Sequence, residues 1–365
     1  MLDWTSVCSS RLFYSGCLCS THASMAKHRI SLPFPSFPAL SVIRGPLPML
    51  EHACVYTEEQ TGRVDNEVQR ILNCIYTSPR LRSASWASGV INGGPKYYPQ
   101  TLPNITNLGM LSRLTCVHDV FAILRACPQL QVLTLTAARC DRQNCPAIVQ
   151  MVHGKLQTLQ IRGVGLDLGE IYHYLSLPSL KSLEIGLDRD PSRWLYHHLL
   201  SFFDRSRCRL QKFRFRSYGR SGFTEQELRA LFICPSFQSL EELVIWQEEI
   251  TSACINLLNL DSPNPLMPRL VHLELSKCVA QDNVLGSMLV SRRRGNRGPI
   301  RQLESVKFGQ KSTQKKLINM GDKGIFKNLV ATVCEAGLHT RELTTRMWIS
   351  GHISSISADL ALTCG

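Results

Sequence analysis

Fifteen cysteines and eleven histidines are the side chains of this 365-residue chain best suited to chemistry. Sulfur and imidazole together raise the question of zinc. Zinc sites draw their ligands from closely spaced pairs that occur twice. Here Cys17 and Cys19 stand too close together to form such a pair, and Cys140-x4-Cys145 has no second pair. His197-His198 falls where a helix is expected, and neither imidazole has a metal-type partner four residues along. No G-x-S-x-G, H-E-x-x-H or phosphate-cradling glycine loop is present. The residues therefore predict a protein that is not an enzyme, with no metal and no cofactor. Most of the cysteines read as small buried thiols: Cys116 and Cys278 fall on an apolar repeat, and Cys74, Cys127, Cys234 and Cys254 lie in predicted helices. That usage suits a reducing compartment and predicts an intracellular protein, cytoplasmic or nuclear.

Charge is the second kind of chemistry on offer. The net charge is +13. Nine basic residues lie between Arg292 and Lys316 against Glu304 alone. Arg292, Arg293, Arg294 and Arg297 open this stretch as a candidate basic patch for nucleic acid. The competing reading is a helix C-terminus whose cations complement the dipole, followed by a solvated loop. Few aromatic residues are interleaved there, which speaks against single-strand binding.

The elements that must position these groups show in an apolar pattern, L-x-x-Φ-x-Φ, with Φ apolar. Ten copies start at Leu50, Leu81, Leu111, Leu130, Leu156, Leu180, Leu210, Leu240, Leu270 and Leu303. Leu270-Val-His-Leu273-Glu-Leu275-Ser-Lys-Cys278 matches the leucine-rich-repeat consensus in full. The period-two alternation suits a strand buried on one face. Helix signals fall between the strands. Asp65 and Asp190-Pro191 open helices, Thr224 with Glu227 forms a capping box, and Thr251 and Asp282 stand as further N-caps. Cys127-Pro128 and Cys234-Pro235 stop helices. Ile325 to Ala336 reads as a last amphipathic helix, closed by Gly337.

A strand-turn-helix-turn unit repeated this way predicts an α/β fold, a leucine-rich-repeat solenoid with a curved parallel sheet on the concave side and helices on the convex side. A doubly wound sheet is the rival, disfavoured by the evenness of the repeat. The expected organisation is an unassigned, disordered segment over 1–33, a solenoid of ten repeats over 34–338, and an unassigned tail over 339–365. No run of eighteen apolar residues occurs, so no membrane span is expected.

A solenoid offers an extended surface for binding. The third, fifth and seventh positions of each copy face the concave side. They assemble Arg162, Glu184, Lys212, Arg214, Arg216, Glu242, Trp246, His272 and Glu274 into a candidate partner-binding face. Tryptophan and arginine are enriched at binding hot spots.

Four segments carry a resemblance: Ile43-Arg-Gly-Pro-Leu-Pro-Met-Leu50-Glu, Cys127-Pro-Gln-Leu-Gln-Val-Leu-Thr-Leu135, Leu177-Pro-Ser-Leu-Lys-Ser-Leu-Glu-Ile185 and Met288-Leu-Val-Ser-Arg292. Over about residues 37–338 the chain resembles the leucine-rich-repeat region of F-box-like proteins of mushroom-forming fungi. The resemblance implies a target-binding repeat domain, working as substrate reader for a cullin ubiquitin ligase. An L-P-x-E-type F-box opening does not precede the repeats. Contact with the ligase adaptor is therefore expected only if an F-box stands upstream. The protein target is not named by the sequence. Nucleic-acid binding through 292–316, or a stand-alone scaffold, are the alternatives.

Overall fold

The computed structural model describes residues 29–32, 45–57, 73–88, 102–114, 117–137, 149–163, 166–187, 194–217, 222–247, 249–276, 278–279, 282–294 and 303–308. Their main feature is one sheet of eleven strands: β1 (Arg29–Leu32), β2 (His52–Thr57), β3 (Ser83–Ser88), β4 (Asn107–Leu114), β5 (Val132–Ala137), β6 (Thr158–Gly163), β7 (Ser182–Leu187), β8 (Lys212–Ser217), β9 (Glu242–Trp246), β10 (His272–Leu275) and β11 (Ser305–Phe308). Every pairing is parallel, and each strand lies beside its predecessor in the chain. The order never reverses, so the switch point of a doubly wound sheet is absent from this sheet. Helices α1 (Val117–Ala126), α2 (Leu166–Tyr174), α3 (Trp194–Ser206), α4 (Glu225–Ile233), α5 (Ser252–Leu257) and α6 (Asp282–Arg294) lie in six of the connections, the crossovers that parallel strands use. The architecture is mixed α/β.

Register explains the apolar pattern. Leu133, Leu159, Leu183, Phe213, Leu243 and Leu273 stand opposite one another on successive strands, as do Leu135, Ile161, Ile185, Phe215, Ile245 and Leu275. All twelve are buried, and they share one core cluster with the inward helix residues Phe121, Ile171, Phe202, Leu231 and Ile255. The third copy differs from expectation. Leu108 pairs with Ala84 and Leu133, and Met110 with Trp86 and Leu135. The unit is thus Ile105/Leu108/Met110, all buried, and not Leu111/Leu114/Cys116. The uneven steps of 30 and 19 residues become 24 and 25. Isoleucine in the first slot, where the pattern asks for leucine, hid the true copy. The sheet also begins earlier than expected, because β1 lies inside the segment 1–33.

The stacking of one unit on the next is written in hydrogen bonds. A single carbonyl before each strand accepts two successive N–H groups from the following unit. Gln211 O accepts from Glu241 and Glu242 at 2.8 and 3.0 Å, and the same fork recurs at Glu51, Arg82, Thr106, Gln131, Gln157, Lys181, Glu241 and Val271. Serines at helix ends close the other side. Ser78, Ser206 and Ser291 accept from the backbone N–H of Leu47, Leu177 and Leu260, each at 3.0 Å and 29 or 31 residues back. A buried N–H without such a partner costs about 1–3 kcal/mol, so these contacts fix the spacing of units.

The predicted caps fare unevenly. Thr224 and Glu227 form the reciprocal capping box. Thr251 occupies an N-cap position, but its hydroxyl donates to Glu225 Oε2 at 2.6 Å and caps nothing. Asp282 is the first residue of α6. α1 and α4 end at Ala126 and Ile233, just ahead of Cys127-Pro128 and Cys234-Pro235. Asp65, Asp190, the 325–336 helix with Gly337 and the tail 339–365 lie outside the described residues.

Candidate functional site: the polar face of the sheet

Strand geometry sends alternate side chains to opposite faces, so the residues between the buried positions form a second, polar face. Three rows cross it. The first holds Thr158, Ser182, Lys212, Glu242, His272 and Ser305. The second holds Thr134, Gln160, Glu184, Arg214, Val244 and Glu274. The third holds Thr136, Arg162, Gly186, Arg216 and Trp246. All nine residues expected to share a face therefore do so.

Their charges compensate one another, often diagonally. Glu184 receives Arg162 Nη2 at 3.2 Å and lies 4.0 Å from Arg214 Nη1. Arg214 turns its main contact to Glu242, whose Oε1 lies 2.6 Å from Nε and 2.5 Å from Nη2, a charge-assisted contact of two donors on one oxygen. Lys212 Nζ reaches the other oxygen of Glu242 at 3.4 Å. The stems of these long cations cover the acids beneath, leaving the side chains of Glu184 and Glu242 only 7% and 11% exposed. Gly186 permits the crossing contact, since a Cβ there would stand 3.0 Å from Arg162 Cγ.

At the edge of this network sits Trp246. Its indole N–H donates to Glu274 Oε1 at 2.8 Å, which fixes the ring plane. The Arg216 guanidinium carbon lies 5.0 Å from the ring centroid. Such a cation–π contact contributes about 0.5–1 kcal/mol at an accessible site. His272 is exposed on the neighbouring strand. The arrangement holds polar hydrogen-bonding groups, charges and one aromatic surface in fixed positions over several strands, which is the chemistry of recognition.

The basic patch breaks up. Arg292 is fully buried and belongs to no exposed patch. Its Nε, Nη1 and Nη2 donate to the carbonyls of Leu258, Met267 and Leu266 at 2.7, 3.0 and 2.9 Å. Arg293 and Arg294 end α6, but their side chains, and Arg297 altogether, lie outside the described residues. The signal for Arg292 was available: Leu285, Met288 and Leu289 precede it by seven, four and three residues, one stripe of a helix facing the core.

The histidines that sequence isolates meet a third across two helices. His198 meets His173 of α2 edge-on, with ring centroids 5.1 Å apart. Burial, then His173, His197 and Arg205, hold its pKa below the usual imidazole value, with Glu170 opposing. Among the described residues, no group of three or more His, Cys, Asp or Glu side chains is placed to hold a metal ion. Burial alone pushes the Cys127 and Cys278 thiols up to about 12, and it is the main cause at Cys208, raised to about 11. Such thiols stay protonated and unreactive at neutral pH. Among the described residues, no helix is long and apolar enough to cross a membrane.

No known protein family matches the chain, and no curated protein does. Among solved structures, a crystal structure of a Bacteroides fragilis protein is similar at 14% sequence identity and a TM-score of 0.39. The match covers 71% of this chain and 66% of that one.

Proposed function

We propose that the chain is a non-catalytic protein-binding module of leucine-rich-repeat type, whose polar sheet face takes up a protein target. The observation that carries this reading is the ordered row of charged side chains ending in Trp246, held between Arg216 and Glu274. Repeating forks of hydrogen bonds between successive units support the solenoid reading, in which each unit rests only on its neighbours. The sequence resemblance adds a role as the target reader of a cullin ubiquitin ligase where an F-box accompanies the repeats. Nucleic acid fits this face less well, because Glu184, Glu242 and Glu274 alternate with its cations and would repel a phosphate backbone.

The test places a photo-crosslinking residue at exposed His272, on the polar face, and another at exposed Ile233, on the helix side. A target of this face is crosslinked from His272 and not from Ile233. Trp246→Ala then weakens its binding by roughly thirtyfold, the loss of one hot-spot residue. Equal capture from both positions, or intact binding by Trp246→Ala combined with Arg214→Glu, overturns the proposal. Co-purification of the ligase adaptor with the natural protein tests the ubiquitin link separately.

A further inference from the structure

We infer that the target presents a carboxylate, from an aspartate or glutamate side chain, to Arg216 beside the Trp246 ring. This rests on the protein-binding reading above and names the chemistry that the face selects. Among the described cations of the face, Arg162 is paired with Glu184, and Lys212 and Arg214 with Glu242. Arg216 has no carboxylate within ion-pair distance among the described residues. Its Nε is buried without a hydrogen-bond partner. The guanidinium is nevertheless held ready, because it lies over the Trp246 ring at 5.0 Å and Glu274 fixes the indole. A planar guanidinium held in advance loses little freedom on forming a two-pronged bond. On the β7 flank the neighbour in the row is Gly186, over which the Arg162 side chain passes on its way to Glu184, so a ligand carboxylate approaches Arg216 from the solvent side.

Among the described residues, one cation of this face stands without a carboxylate, and that decides the ligand class. One guanidinium matches one carboxylate, two N–H donors to two oxygens. A doubly charged phosphate asks for more cations, and the nearest ones are already neutralised by Glu184 and Glu242. The ring of Trp246 beside it gives an apolar platform for the stem of an acidic side chain or for the residue next to it.

The experiment selects a random heptapeptide display library on the full chain, followed by binding measurements with synthetic copies of the retained peptides. Retained peptides are expected to share one acidic position. Changing that residue to its amide lowers affinity at least tenfold. Arg216→Gln causes the same loss, and the two changes together cost no more than either alone. Arg216→Glu shifts selection to Lys and Arg, whereas Arg214→Gln leaves the acidic preference in place. Arg216→Lys, which keeps the charge without the planar fork, weakens binding and serves if Arg216→Gln melts early.

A library that retains nothing above background, or an acidic preference that survives Arg216→Gln, overturns the inference. If binding without an acidic preference is still lost in Trp246→Ala, the protein-binding reading stands and only this inference falls. Peptides indifferent to both residues overturn both. Binding of a random-sequence DNA 20-mer that is lost in Arg216→Gln also overturns it, in favour of a phosphate ligand.

Discussion

Arg292 satisfies three backbone carbonyls of the preceding unit from inside the core. Desolvation brings its pKa down to about 10, so it remains charged at neutral pH. Arg292→Ala is expected to lower stability by at least about 3 kcal/mol, since it opens a cavity and strands several polar groups. Urea unfolding checks this, with Arg293→Ala as the comparison within the same run of arginines. His198 gives a pH prediction. Its folded-state pKa is depressed, mainly by burial. The stability it contributes is therefore complete above its ordinary value of 6.5 and is lost as pH falls from there toward the folded value. The melting midpoint should drop between neutral and mildly acid pH, and the drop should be smaller in His198→Gln. An unchanged pH profile in that variant would show that the α2–α3 contact tolerates the charge.

Elements in this chain are fixed from two sides, by their own caps and by the next unit. Thr224→Ala removes a reciprocal cap and is expected to cost about 1 kcal/mol. Ser206→Ala acts at a distance of 29 residues, by leaving the Leu177 N–H unpaired, and is expected to cost about 1–3 kcal/mol. Hydrogen exchange at Leu177 reads the local loss directly. Sequence reached the Thr224 cap because its partner lies three residues away. It could not reach Ser206, whose partner belongs to another unit. Thr251 shows the converse, a cap-type residue in a cap position whose hydroxyl serves Glu225 of the preceding helix.

For the whole molecule, the physical point is that contacts run from each unit to its neighbours. Strands that are adjacent in the chain are adjacent in the sheet throughout. Excision of residues 211–240, which joins Leu210 to Glu241, keeps the register of every remaining strand. It is expected to leave a cooperatively melting protein, with β7 beside β9. Excision of 211–225 places half a unit between two strands and should abolish the cooperative transition. Thermal melting by circular dichroism distinguishes the two. Equal failure of both would mean that the sheet depends on contacts beyond nearest neighbours.

The alternation of apolar residues was enough to determine a parallel α/β sheet with helical crossovers and to put the nine candidate residues on one face. The reason is that strand period and burial are local properties, readable within six residues. Which charges neutralise each other was decided only by tertiary structure, because Arg214 meets Glu242 and Glu184 across strands that lie 28 and 30 residues away. The same holds for Arg216, which among the described residues meets no carboxylate, as appears only once its neighbours are placed. Register between strands also moved the third copy to Ile105, where conservative apolar exchange had blurred the pattern. Packing of one helix face drew Arg292 out of an apparent basic patch and into the core.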